Sequence, residues 1–488
     1  MIRKLKSMFG AQDMTTGKPL GVMMRFAVPL LIGNIAQLAY NLVNAIVVGR
    51  MVNSNALSAV GASAPIQQLF FVFFMTVGTG VSVMIAQYFG AKDKANFDKT
   101  VGTAITATLV VTVFITIIGI PLIVPILKLT NVSDPIMFEF ARQYLFIMFL
   151  GTVGQGFYNV LSGILRGMGE AIFPLFVLIG TSVLNVVLVL LFVGRFNMEV
   201  AGAALATVIC QYLSAIACMI RLVKMKNVTI TRALLRPDKM ILGQIARIGL
   251  PSGVQQCILS VSSMFVQSLI NSIVIVAPSG IALTTVFTAI NAAITQVDNF
   301  SMLPNQAFSM AGSTFAGQNI GAGRLDRVRE GFKIILTTSL VVSGVLIVVI
   351  SIFGGNLISM FVDTANENRD LIISYGIKMQ RIMVWCYIAT SFTQASSGVL
   401  RGAGDTLPVM IITIIGTVGM RMPMAYIMVR SRPSDIFPAG NPSGVYWSML
   451  ICYSIVASAC FVYYLTGRWK KLALTRAYDY VAEEKSGA

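Results

Sequence analysis

The sequence predicts an all-α integral membrane protein, with twelve transmembrane helices in two six-helix lobes related by a pseudo-twofold axis along the membrane normal. Three observations carry this reading. The 488 residues are 56% hydrophobic and only 11% charged, against about 25% charged in a soluble domain. Uncharged runs recur at the length a bilayer demands, about 20 residues per helix. Motifs of the first half return, in order, in the second.

The elements follow along the chain. Residues 1–21 are polar and basic, with no apolar stretch of signal-peptide type before the first span. Uncharged runs at 26–49, 51–91, 101–127, 143–165, 171–194 and 200–220 make the six spans of an N-lobe, residues 22–222. A basic stretch at 223–244 forms an inter-lobe linker. The pattern then restarts. The run 248–297 holds two helices around a Pro-Ser-Gly turn at 278–280, and 334–362, 382–400, 406–428 and 436–467 complete a C-lobe, residues 245–467. A tail, 468–488, closes the chain. Lysine and arginine crowd one set of alternate connections, while the opposite set holds only Arg50, Lys128, Arg195, Arg369, Arg430 and Arg432. That bias places both termini, the linker and the tail in the cytoplasm.

Composition also excludes functions. The net charge of +17 lies between apolar spans, so the expected partner is the lipid bilayer and not nucleic acid. There is no histidine, which removes histidine metal sites, histidine bases and serine–histidine triads. Cys210, Cys218, Cys257, Cys386, Cys452 and Cys460 sit in apolar runs without CxxC spacing and read as packing residues, so no metal site is expected. No GxxxxGK[ST] signature occurs, and the loops are too short for a nucleotide-binding domain.

The repeat is visible residue by residue. Ile164-Leu-Arg-Gly-Met-Gly-Glu170 matches Val399-Leu-Arg-Gly-Ala-Gly-Asp405, and Gln87-Tyr-Phe-Gly-Ala91 matches Gln318-Asn-Ile-Gly-Ala322. Cys210 and Cys218 match Cys452 and Cys460, and Pro29 answers Pro251. Six spans per repeat is an even number, so both halves enter from the same side. Parallel repeats of this kind place a ligand site at their interface.

These motifs resemble those of the multidrug and toxic compound extrusion (MATE) transporters, most closely the bacterial DinF-like branch. The residues that carry the likeness are Pro29-Leu-Leu-Ile-Gly-Asn with Tyr40-Asn41 and Gly49-Arg50, Ala56-Leu-Ser-Ala-Val-Gly61, Gly249-Leu-Pro-Ser-Gly253, Gln318-Asn-Ile-Gly-Ala-Gly323, and the two Leu-Arg-Gly-x-Gly loops. The resemblance spans roughly residues 20–467. It implies a V-shaped secondary-active exporter, probing its substrates by alternating access, in the bacterial inner membrane. Such a protein exports small amphipathic, often cationic compounds as a monomer, with no cofactor and a proton or sodium ion (H+ or Na+) as its coupling ion. The resemblance also implies an aspartate in the first span, where this chain has Asn44, and a second in the fifth, where it has Val189. Neither residue titrates, which removes the acid pair from the N-lobe. A lipid or lipid-linked-sugar flippase of a related fold, and a transport-silent receptor or scaffold, are the alternatives.

Ionisable residues at membrane depth mark function by default. Asp298 in the eighth span and Arg421 in the eleventh interrupt long uncharged runs. They are expected to face the C-lobe interior and to pair, either as a static salt bridge or as the ion-coupling group. Arg166 and Arg401 each precede an acid by four residues (Glu170 and Asp405) and are expected to fix their loops. Gln37, Tyr40, Asn41 and Asn44 share one helical face by i, i+3, i+4, i+7 spacing. With Asn159 and Asn185 they form either a cavity lining or interhelical hydrogen-bond glue. Met264, Phe265 and Phe287 are candidates for an aromatic and thioether pocket. Gly78, Gly80, Pro121 and Pro125 are hinge candidates, and a bend is expected at Pro304.

Overall fold

The structure is a computed structural model of the chain. It describes residues 10–51, 54–129, 134–225, 228–231, 233–273, 275–276, 282–283, 286–362, 368–431 and 440–470, without the side chains of 41–60, 62, 64–65, 68–71, 275–276 and 282–283. Helices account for nearly all of it. The first half comprises α1 (Pro19–Met51), α2 (Ser54–Gly90), α3 (Lys94–Leu129), α4 (Pro135–Leu150), α5 (Thr152–Gly167), α6 (Ile172–Val189) and α7 (Glu199–Val223). The second comprises α8 (Lys239–Asn271), α9 (Val286–Gly321), α10 (Leu325–Ser359), α11 (Arg369–Met383), α12 (Cys386–Gly402), α13 (Thr406–Ile414), α14 (Met422–Arg430) and α15 (Ser443–Leu465). Two π-helical stretches interrupt the pattern, Leu190–Arg195 after α6 and Ile415–Arg421 between α13 and α14. An antiparallel hairpin pairs Ile275 with Leu283 and Val276 with Ala282 between α8 and α9. The turn read at 278–280 lies outside the described residues.

Among the described residues, nine helices are long and apolar enough to cross a membrane, and α4 with α5, bent by 48°, makes a tenth. The two remaining expected spans are α9 and the α11–α12 pair. Their composition explains why they fall short. α9 carries Asn291, Thr295, Gln296, Asp298, Asn299, Asn305 and Gln306, and α12 is rich in serine and threonine. Both belong to the second half.

The α4–α5 bend sits at Gly151, whose N–H reaches the carbonyls of Ile147 and Met148, while the Thr152 hydroxyl donates to the Phe149 carbonyl. The proline hinges read from sequence are not breaks. α3 runs through Pro121 and Pro125, and α9 runs unbroken through Pro304. Gly78 and Gly80 are packing positions, lying against the carbonyls of Asn159 and Ile245.

The chain divides into two compact units, and chain order does not set their boundary. The first unit takes the chain up to Gly253 together with Thr314–Arg324, and the second takes Val254–Ser313 with the chain from Leu325. This division follows packing and differs from the expected lobes and the linker at 223–244, which follow span order. The linker docks on α3, where Thr106 donates to the Leu235 carbonyl and the Asp238 N–H to the Thr103 hydroxyl.

In lipid, apolar side chains gain little by meeting each other, so helices associate by close packing of small residues. In the first unit Gly249 and Gly253 of α8 press on Thr76 of α2 so closely that a Cβ on either would overlap it. The core there joins Val81, Ile85, Val101, Ile164, Cys218 and Ile245. In the second unit Val266, Phe287, Ile290, Ile372, Met379 and Tyr446 pack together. Outward faces are apolar. Val110, Phe114 and Ile117 on α3 and Val341, Val345, Val348 and Ile352 on α10 are all exposed at helical spacing, as lipid contact requires.

Candidate functional site

The second unit gathers a polar cluster from three helices. Asp298 and Ser301, one turn apart on α9, lie near the hydroxyl of Tyr387 at the start of α12, and the Ser301 hydroxyl donates to the Val297 carbonyl. Gln380 near the end of α11 donates its amide to Tyr387 Oη at 3.4 Å. Tyr387 is fully buried and Gln380 is 2% exposed. Asp298 Oδ1 and Gln380 Oε1 are both buried with no hydrogen-bond partner. A buried polar atom without a partner costs free energy, so two such oxygens beside a carboxylate call for something that satisfies them. The break between α11 and α12 is what brings Gln380 and Tyr387 to the same place.

Arg421 ends the π-helical stretch before α14. It is buried, its guanidinium lies 6.0 Å from the Tyr453 ring centroid, and its Nε has no partner. Asp298 feels its charge, but the two make no contact ion pair. The direct form of the expected pair is absent among the described residues, whose ion pairs are Arg142–Glu139, Arg221–Glu170 and Arg329–Asp326. A half-buried acid and a buried base without direct contact are less tightly locked than a contact pair. The carboxylate keeps room to take up a proton, or to share its free oxygen with that of Gln380 around a hard cation, which prefers oxygen ligands.

A second polar network lies toward the hairpin end of the same unit. Gln267 donates to Asn271 Oδ1 (2.9 Å), Asn291 to Gln267 Oε1 (3.3 Å) and Tyr446 to Asn291 Oδ1 (3.1 Å). Thr295, Gln296, Asn299 and Gln306 on α9 are exposed. Exposed amides at membrane depth are tolerated where they line a water-filled cavity. Sequence reading missed Gln380, Tyr387, Gln267 and Asn291. Their one visible signal is the low hydropathy of the spans that carry them.

The other candidates scatter. Met264 and Phe265 are 64% and 62% exposed, while Phe287 is fully buried in the core and is corrected to a packing residue. Gln37 is exposed and Tyr40 half-buried. The side chains of Asn41 and Asn44 lie outside the described residues. Asn159 donates to the Gln155 carbonyl of its own helix, and buried Asn185 to Thr207 Oγ1 at 3.4 Å. Val189 is buried among Val193, Val200, Ala203 and Ala206, an apolar setting one turn from the unpartnered Asn185 Oδ1. The acids that follow the loop arginines take partners from farther along the chain. Glu170 takes two hydrogen bonds from Arg221, and Asp405 takes one from Tyr463. Arg401 binds Ser309 Oγ and the Ser397 carbonyl.

The first unit has a small cavity, lined by Ile66, Gln67, Phe74, Leu145, Met148, Phe149, Thr152 and Gln155. It is the repeat-equivalent of the charged cluster. In the register that pairs Gln87 with Gln318, Gln67 corresponds to Asp298. In the register that pairs Arg166 with Arg401, Leu145 and Thr152 correspond to Gln380 and Tyr387.

Comparisons with known proteins agree with this architecture. The MatE family profile matches residues 29–191 and 251–427. The chain is 28% identical to the "Probable multidrug resistance protein YoeA" of Bacillus subtilis, over 93% of this chain and 95% of that one. It is 25% identical to the "Probable multidrug resistance protein NorM" of Thermotoga maritima, over 93% and 94%. Among solved structures, an outward-facing multidrug resistance MATE family transporter matches with a TM-score of 0.84 at 25% identity, covering 96% of this chain and 99% of that one.

Proposed function

Because the chain belongs to the MatE family, whose members are transporters and not enzymes, we propose that it is a secondary-active exporter of small amphipathic, often cationic compounds. It works by alternating access, as a monomer in the bacterial inner membrane with both termini cytoplasmic. The names of YoeA and NorM support the substrate class. The observation that carries the mechanism is the Asp298 cluster, with unpartnered oxygens on Asp298 of α9 and Gln380 of α11.

The coupling ion is a proton or a sodium ion held at Asp298. Tyr387 holds one side of the carboxylate, Gln380 offers a second oxygen, and Arg421 lowers the cost of the charged form from a distance. Binding the ion cancels the carboxylate charge that Arg421 feels. The field across α9, α12 and the π-helical stretch then changes with occupancy, which biases one access state over the other. The first half contributes no titratable group of this kind, since Gln67 stands where Asp298 does and the Val189 environment is apolar.

The test is transport of a fluorescent amphipathic cation in proteoliposomes under an imposed proton or sodium gradient. One gradient is expected to stimulate flux at least ten-fold, and Asp298→Asn to reduce it to the ungraded background while the protein still folds. Full gradient-driven flux in Asp298→Asn would remove that residue from coupling. No flux of any compound under either gradient would sink the transport reading itself.

A further inference from the structure

The segment ahead of α1, read from sequence as a polar tail, contains a fully buried residue. Met14 has 0% exposure and Thr15 7%. The Met14 N–H donates to Gln318 Oε1 at 2.8 Å, and its carbonyl accepts from Asn319 Nδ2 at 3.2 Å. The Thr15 carbonyl accepts from Arg324 at 2.7 Å, and the Gln12 N–H donates to the Met168 carbonyl at 3.0 Å. Gln318 and Asn319 are themselves fully buried, and Gln318 spends its amide N–H on the Gly167 carbonyl. One glutamine therefore ties the end of α9 both to the end of α5 and to this segment. Asp13 shapes the turn by accepting from the Thr15 N–H and hydroxyl. Gly169, at φ +82°, leaves room for the Gln12 carbonyl, which a Cβ there would strike. Beneath the segment, Gly90 lies on the Gln318 carbonyl and Gly321 on that of Gln87.

We infer that residues 12–15 form a latch that pins the end of α9 to the end of α5 and opens in each transport cycle. Its bonds are mostly side chain to backbone, not a continuous ladder, so each group finds water when the segment lifts. The helix that carries Gln318 is the same unbroken α9 that carries Asp298, 20 residues and roughly 30 Å away at 1.5 Å per residue. A shift of α9 driven at Asp298 thus pulls directly on the latch. The inference rests on the alternating-access reading, because only a cycle that parts these helix ends needs the latch to open.

Two measurements on the full chain test it. In nanodiscs, Met14→Asp and the milder Arg324→Ala are expected to speed amide hydrogen exchange at 165–170 and 314–324 at least ten-fold, with α10 unchanged. Unchanged exchange at both segments in both variants overturns the latch. This readout needs no substrate, so it stands even if no compound is transported. Second, the Gln12 and Met168 backbones are close enough for a disulfide between Gln12→Cys and Met168→Cys. The oxidised protein is expected to lose at least ten-fold in transport rate and to recover on reduction. Equal rates in both states would show a segment that never moves.

Discussion

Compare the two repeat-equivalent chambers. In the first half Gln67, Leu145 and Thr152 surround a neutral cavity, and the Thr152 hydroxyl shares a 2.6 Å hydrogen bond with Thr116 of α3. In the second half the same positions hold Asp298, Gln380 and Tyr387, and oxygens are left without partners. The scaffold around them is shared. Span four breaks at Gly151 and span ten breaks between Met383 and Cys386, which places Thr152 and Tyr387 at the start of equivalent helices. The contact between Gly163 and the Gly78 carbonyl has its counterpart in Gly398 and the Ser309 carbonyl. The difference teaches that duplication preserved backbone approach and let the polar chemistry diverge. Close helix packing tolerates few alternatives at a glycine, whereas a cavity-facing side chain is free to change.

The acid at the end of the Leu-Arg-Gly-x-Gly loop makes the same point and offers ways to break the comparison. Glu170 pairs with Arg221, and in the register of the cysteines Arg221 corresponds to Tyr463, the partner of Asp405. The largest effect is expected for Arg221→Met. It leaves the fully buried Glu170 side chain uncompensated, at a cost of about 3–5 kcal/mol, read as a lower thermal unfolding midpoint in detergent. Tyr463→Phe removes a single hydrogen bond to a charged group, so its loss is smaller, about 1.5–3 kcal/mol. If the two variants cost the same, the halves have not diverged energetically. The smallest effects are expected at the shared glycines. A Cβ at Gly398 would lie 2.7 Å from the Ser309 carbonyl and one at Gly163 3.0 Å from that of Gly78. Gly398→Ala should therefore cost about 1–3 kcal/mol, and Gly163→Ala less. The reverse order in the same assay would mean that the second half packs more loosely than its geometry indicates.

Much of this was legible in the residues themselves. Asp298 and Arg421 stand out as single charges in apolar runs, and the duplicated loops declare two halves. Gln380 and Tyr387 were not legible, because a polar residue in a span looks the same whether it glues helices or faces an acid. The absence of a direct Asp298–Arg421 ion pair was not legible for a related reason: two lone charges in one lobe do not by themselves fix the distance between them. The partner of Glu170 was not legible either, because it lies 51 positions along the chain.

The sequence by itself determined the solvent of this protein, the number of its repeats and the sites of its buried charge. These are properties of segments, set by how apolar each stretch is and how motifs recur. The tertiary structure alone decided which groups meet: Tyr387 with Asp298, Arg221 with Glu170, and a buried Met14 with the end of α9. The physical reason is that the lipid fixes only what each helix shows outward. What it shows inward depends on the angles and breaks of its neighbours.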